Sequence, residues 1–256
     1  MGSTSGVPTP AGRPYFEAAI RDAVSRSERQ DIPVFTAFLT ETEQAAAEGL
    51  VRRAGVVYRF FGGYDGAERR MLGVFPPGSE PDDSRFPIDA VTVTVRSGEK
   101  PDHRSVLGTL MAQGVERDCV GDILCEEGRA VFFCRATVTA AFLREIRKIG
   151  GLGADLAAGF APPLPAAHTF REITDTVASE RLDCLVAALA RVGRTEAEAL
   201  ILAGDVMIDS VPCKKTSQKV EEGRKITVRG KGKFIIDAIG AMTKKGRRKL
   251  SARKYC

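Results

Sequence analysis

Arg181-Leu182-Asp183, Gly193-Arg194-Thr195-Glu196-Ala197, Ala203-Gly204-Asp205-Val206-Met207-Ile208-Asp209 and Val220-Glu221-Glu222-Gly223-Arg224-Lys225-Ile226 follow one another in a single stretch towards the C-terminus. Leu182, Leu185, Val186 and Leu189 recur at helix spacing, and Gly193-Arg194 interrupts the stripe. Thr195-Glu196-Ala197-Glu198 fits a capping box, in which the Thr195 hydroxyl and the Glu198 carboxylate satisfy orphan amides of a second helix. That helix carries Ala199, Leu200 and Leu202 and stops at Gly204, a residue suited to a left-handed C-terminal position. Beyond it Val206 and Ile208 alternate with polar residues, and a turn falls near Asp209-Ser210. Strands are predicted at 225–228 and 233–236. The stretch therefore predicts two short helices leaning on a small, strongly basic sheet.

Charge singles out the same end of the chain. Residues 179–256 hold 18 Lys+Arg against 9 Asp+Glu, while the rest of the chain holds 20 against 24. Between 224 and 254 there are twelve basic residues and a single acid, Asp237. Such an asymmetry is the footprint of a polyanion partner, and nucleic acid is the commonest one in cytoplasm.

Working towards the N-terminus, the order of elements becomes longer. Phe16, Ile20, Ala23 and Val24 have helix spacing, and a second helix is predicted from about Thr40 to Arg53. Residues 55–61 read as a strand, Gly62-Gly63-Tyr64-Asp65-Gly66 as a turn, and 70–75 as the hairpin partner, stopped by Pro76-Pro77. From 86 to 178 the pattern gives a strand at 90–95, a helix at 103–113 and strands at 122–126 and 130–135. A helix at 137–149, a Gly/Ala/Pro-rich loop and a strand at 169–177 complete the βαββαβ order. Many RNA-recognition domains share that order with unrelated proteins. Phe132-Phe133 on its third strand superficially resembles a base-stacking strand, but adjacent strand residues face opposite sides, so at least one must enter the core. The expected fold is thus α+β: an N-terminal α+β unit at 1–77, a central βαββαβ ferredoxin/RRM-like domain at 78–178, and a basic C-terminal domain at 179–256.

The four C-terminal passages together resemble the S4 RNA-binding domain along its whole length. Thr195 stands where that family usually has Ser, Asp209-Ser210 where Asn-Gly is common, and Arg224-Lys225 where an acid tends to occur. Three further passages make nearly the entire chain similar to one S4-bearing family, the bacterial YlmH-like proteins. They are Gly62-Gly63-Tyr64 with Ala67-Glu68-Arg69-Arg70; His103-Arg104-Ser105-Val106-Leu107-Gly108-Thr109-Leu110 with Gly114-Val115-Glu116-Arg117 and Gly121-Asp122-Ile123-Leu124; and Arg229-Gly230-Lys231-Gly232-Lys233-Phe234 with Thr243-Lys244-Lys245-Gly246. The resemblance implies an RNA-binding protein of the ribosome, with ribosomal or transfer RNA and the large subunit as partners, acting in quality control of stalled large subunits. Ser105 replaces an acid of the family pattern, so any role of that acid does not pass to this chain.

Guanidinium forks and mobile ammonium groups suit phosphate oxygens. The residues assigned to RNA are Arg181, Arg191, Arg194 and Thr195 on or between the two helices, Lys214, Lys215, Arg229, Lys231 and Lys233 on the sheet or its turns, and Lys244, Lys245, Arg247 and Arg248 in the basic stretch beyond. Gly230 and Gly232 would let the backbone approach a sugar-phosphate chain closely, or merely form a bulge. Asp183 reads as a structural acid orienting Arg181 or Arg194, and Arg194 has two readings, a phosphate grip or a structural pair with Asp183.

No catalytic centre emerges. The pseudouridine synthase aspartate belongs to a Gly-Arg-Leu-Asp motif of a separate domain, whereas here Arg181-Leu182-Asp183 follows Glu180 inside the S4-like helix. A Gly-rich loop of the rRNA methyltransferase class and a P-loop are both missing, and His103-Arg104 lacks the partners of a kinase loop. An S4-bearing RNA-modifying enzyme remains the rival class, and a cell-division scaffold, suggested only by the family's gene neighbourhood, the third. The six cysteines, Cys119, Cys125, Cys134, Cys184, Cys213 and Cys256, form no C-x-x-C pair, and the histidines are His103 and His168, so zinc spacing is absent and no cofactor is expected. There is no run of about 18 apolar residues and no signal-peptide pattern at Met1–Ala11, so the chain reads as soluble and cytoplasmic, without a membrane or small-molecule partner.

Overall fold

The first helix, α1 (Phe16–Gln30), turns Phe16, Ile20 and Ala23 inwards as their spacing requires. A computed structural model describes residues 15–167, 170–243 and 246–255. They fall into two units, divided between Ala167 and His168.

In the first unit, α1 leads into β1 (Val34–Leu39), then α2 (Glu41–Ala54), β2 (Val57–Phe61) and β3 (Arg70–Phe75). The strand order is β1-β3-β2, antiparallel throughout. Sequence patterning did not indicate β1, because its largely apolar run sits between two helices with no alternation to separate strand from buried helix. A capping box starts α2, with the Thr40 hydroxyl accepting from the Glu43 amide and the Glu43 carboxylate accepting from the Thr40 amide.

The same unit continues with β4 (Ile88–Val95), α3 (His103–Met111), β5 (Val120–Glu126), β6 (Arg129–Arg135), α4 (Ala136–Glu145), β7 (Lys148–Ile149) and β8 (Leu152–Ala158). Its sheet runs β5-β6-β4-β8-β7, every neighbour antiparallel. The order is βαββαββ rather than the expected βαββαβ: the short β7 falls where the sequence predicts the end of a helix, and the last strand, β8, lies inside the stretch read as a loop. The strand predicted at 169–177 belongs to the other unit. Small residues (Gly153, Ala154, Ala157, Ala158) hid β8, although Ala154 is fully buried.

Both faces of this sheet are covered. Phe132 packs with Val106, Leu110 and Phe142 below the helices, whereas Phe133 packs with Phe38, Met71 and Phe75 of the N-terminal elements. The loop between β2 and β3 is locked onto β5. Asp122 accepts from the Tyr64 hydroxyl at 2.8 Å and from the amides of Glu68 and Arg69 at 2.7 and 3.0 Å. Tyr64 stacks on Phe133 with ring centroids 4.9 Å apart. Gly63, at φ +98°, approaches that ring so closely that a Cβ would lie 2.3 Å from it, so the glycine is required twice over. Gly62-Gly63-Tyr64 and Gly121-Asp122 are thus one structural joint.

The second unit opens with β9 (Phe170–Val177), followed by α5 (Leu182–Ala190), α6 (Arg194–Ala203), β10 (Val206–Ile208), β11 (Val211–Pro212), β12 (Lys225–Val228), β13 (Gly232–Met242) and β14 (Arg248–Tyr255). One antiparallel sheet forms in the order β11-β10-β12-β13-β14-β9. Val206, Ile226, Val228, Phe234, Ile236, Leu250 and Ala252 meet Leu182, Leu185, Val186, Leu189, Ala197 and Ile201 of the helices in one core. Strand alternation turns Lys225, Thr227, Lys233, Ile235, Ser251, Arg253 and Tyr255 to the other face.

Two sequence expectations fail here. Helix α6 begins at Arg194 with Gly193 as N-cap and no side-chain capping bond, so Thr195 and Glu198 form no capping box. Its buried positions are Ala197 and Ile201, while Leu202 is 62% exposed. The turn at Asp209-Ser210 is confirmed, with both residues at positive φ. The Asp209 carboxylate accepts from the Lys225 amide at 2.9 Å and pairs with Arg224. The two departures from the S4 pattern at 209 and 224 are therefore partners in one contact.

Candidate nucleic-acid interface

The N-terminal ends of α5 and α6 meet at one buried carboxylate. Asp183 has no exposed side-chain surface, yet carries the charge of an acid. Arg181 donates to it from Nε and Nη2, each at 3.0 Å. Arg194 donates from Nε at 3.1 Å and from Nη2 at 2.8 Å, and the Cys184 amide adds a bond at 3.0 Å. Burial alone would raise the Asp183 pKa, but the bonds from Arg181 and Arg194 outweigh it and hold the carboxyl well below the usual carboxylate range. Both arginine side chains stay in part at the surface, at 39% exposure for Arg181 and 57% for Arg194. The loop after β11 closes over this point, since Thr216 and Gln218 accept from the amides of Asp183 and Leu182.

The structural pairing of Arg194 with Asp183 is therefore present. It does not bury the arginine, but fixes one edge of its guanidinium group at the start of α6. Because no side chain caps that helix, its first amides and its dipole face outwards beside the guanidinium. Thr195, relieved of a capping duty, lies exposed next to them.

The other assigned residues do not form one patch. Lys231 reaches Glu196 in the first turn of α6 at 3.3 Å, and Arg248 reaches Glu180, next to Arg181, at 3.4 Å. These join the Arg181 and Arg194 surface. Arg229 pairs with Asp205 at 3.2 Å, Arg247 donates to the Thr176 carbonyl, and Arg191 occupies the left-handed C-cap of α5. Lys214 and Lys215 are exposed in the loop after β11. Lys233 projects from the opposite face of the sheet, its Nζ 4.9 Å from the centre of the Tyr255 ring. Gly232 accommodates the Lys254 stem, against which a Cβ would stand 2.7 Å away. Lys244, Lys245 and His168 lie outside the described residues. Sequence reading overlooked Lys219, whose backbone pairs with that of Arg181, because only the folded loop brings it there.

Among the described residues no group of three or more His, Cys, Asp or Glu side chains is placed to hold a metal ion, and no helix is long and apolar enough to cross a membrane. His103 opens α3, where partial burial and then Arg117 hold its imidazole below the usual histidine range.

Residues 81–158 match the family described as "Putative RNA-binding domain in YlmH". Over 214 residues, 82% of this chain and 82% of the other, the sequence is 32% identical to the ribosome-associated protein quality control protein P2 of Bacillus subtilis (strain 168). The chain belongs to the YlmH family. The structure of the cell division protein ylmH from Streptococcus pneumoniae superposes with a TM-score of 0.48 at 23% identity, covering 56% of this chain and 88% of that one. In this YlmH-family member the matched stretch runs through β4 to β8, and its sheet buries Phe132 and Phe133 on opposite faces. Neither ring is available to a nucleobase.

Proposed function

We propose that this chain binds RNA on the ribosome as a quality-control factor of stalled large subunits, and that residues 179–256, with β9 completing the sheet, serve as an S4-type RNA-binding domain. The observation that carries the reading is the pair of guanidinium groups seated on buried Asp183 at the uncapped start of α6. Guanidinium groups held in place by a buried carboxylate, with their remaining N–H donors beside free helix amides, are a phosphate site in which position is fixed before the ligand arrives. The B. subtilis relative's name places that protein at the ribosome, and the family description assigns RNA to the domain at 81–158. Transfer or ribosomal RNA of the large subunit is the substrate class, and Arg181, Arg194, Thr195, Lys231, Arg248, Lys214 and Lys215 are the residues assigned to it.

We further propose binding without turnover, with no cofactor. Sedimentation of the protein with purified large and small ribosomal subunits tests the first claim; retention with the large subunit supports it and equal retention with both removes the subunit assignment. Mass spectrometry of RNA incubated with the protein, with and without S-adenosylmethionine, tests the second. A methyl group or pseudouridine appearing in proportion to protein would overturn it.

A further inference from the structure

The face of the second unit's sheet turned away from α5 and α6 carries an aromatic pair ringed by cations. Tyr255 and Phe170 are register partners on β14 and β9, with ring centroids 4.9 Å apart in an edge-on arrangement. The ammonium groups of Lys233 and Lys225, from neighbouring β13 and β12, lie 4.9 and 5.7 Å from the centre of the Tyr255 ring. The Arg253 guanidinium lies 4.9 Å from the centre of the Phe170 ring and is steadied by Asp237 at 2.8 Å. Phe170 is 36% exposed, and the core contacts of α5 and α6 lie on the other side of the sheet.

A cross-strand aromatic pair by itself explains a sheet corner. It does not explain why three strands each direct a cation at these rings. Flat rings with ammonium and guanidinium groups within a few ångströms are the combination that holds an unpaired nucleotide, the base stacked on the ring and the phosphate met by the cations. We infer that this corner takes a single-stranded RNA nucleotide, its base against the Tyr255 and Phe170 rings and its phosphate held by Lys225 and Lys233. The inference rests on the RNA-binding reading and extends it to a second, unpaired segment, on the face of the sheet opposite Arg194.

The test uses the full chain and two RNAs, a fully paired hairpin and a single strand of about ten nucleotides, the order of one site on such a surface. Tyr255→Leu is expected to weaken the single strand at least about fivefold, the lower end of a lost base stack, and the hairpin less than about twofold. Tyr255→Phe is expected to keep the native affinity for both. With the native chain, 2-aminopurine placed in the single strand is expected to lose fluorescence on binding, which does not depend on any variant folding. Binding of the single strand without that quenching, or a Tyr255→Leu variant of native melting temperature that holds it unchanged, would overturn the inference and leave the main reading intact. A native chain that binds the hairpin alone would do the same. A native chain that binds neither RNA nor ribosomal subunits would overturn both.

Discussion

Asp183 and Arg194 separate folding from binding when they are changed one at a time. Asp183→Asn leaves two guanidinium groups facing a neutral amide, and an unsatisfied buried contact of this kind costs roughly 2–3 kcal/mol. The pH dependence of that loss has a definite sign. The Asp183 carboxyl titrates below its ordinary value, so its contribution is complete above the unfolded pKa of about 3.9 and fades as pH falls below it. Chemical denaturation from pH 7 down to pH 3 is expected to show a constant gap between native and Asp183→Asn above about pH 5 that narrows below about pH 4. A gap that stays constant to pH 3 would contradict the assignment. Arg194→Ala is the complementary change. Arg181 keeps both of its bonds to Asp183, so the loss of stability is expected to stay within roughly 1 kcal/mol. RNA affinity is expected to fall at least about tenfold, or ~1.4 kcal/mol, and Arg194→Lys, which cannot form the fork, is expected to recover only part of it. An Arg194→Ala protein that melts much earlier while its folded fraction binds normally would make the arginine purely structural.

At the scale of elements, β14 is where the basic C-terminal end becomes structure. No strand is predicted over Arg248 to Tyr255, because five of the eight are Lys, Arg or Tyr and the apolar alternation is reduced to Leu250 and Ala252. Both are buried and pair in register with β13 and β9. Leu250→Ala is expected to cost about 3 kcal/mol in thermal or urea unfolding, while Lys249→Ala stays within about 0.5 kcal/mol. Equal, negligible effects would return the segment to a tail. The same logic explains what was legible in the sequence. The helices α1, α2, α3, α5 and α6 and the hairpin of β2 and β3 carry apolar residues at a clear period, so their existence could be read directly. Strands β1, β8 and β14 carry uniform apolar, small or charged residues, and only their partners reveal them. Capping depends on where a helix starts to within a residue or two, which placed Thr195 at the N-cap position that Gly193 occupies instead. Asp183 was legible as a structural acid because a carboxylate between two arginines has few other roles. The Tyr255 and Phe170 corner was not, since its residues are 85 positions apart in the numbering and meet only through the pairing of β14 with β9.

On the scale of the whole molecule, charge divides as the two units do. Residues 168–256 carry 19 Lys+Arg against 11 Asp+Glu, and residues 1–167 carry 19 against 22. Many of the cations in the second unit already have an acidic neighbour, so the attraction it exerts is weaker than the count suggests and depends on surface position. Each phosphate met should still release counterions, giving a log-log slope of affinity against salt of roughly −0.7 to −0.9 per contact. The most direct test of the account is to titrate ribosomal RNA of the large subunit with the full chain and with fragments 1–167 and 168–256 across a range of salt. Fragment 168–256 is expected to keep most of the affinity and the salt slope, and fragment 1–167 to lose at least about a hundredfold, or ~2.7 kcal/mol. A fragment 1–167 that binds as tightly as the full chain would contradict it.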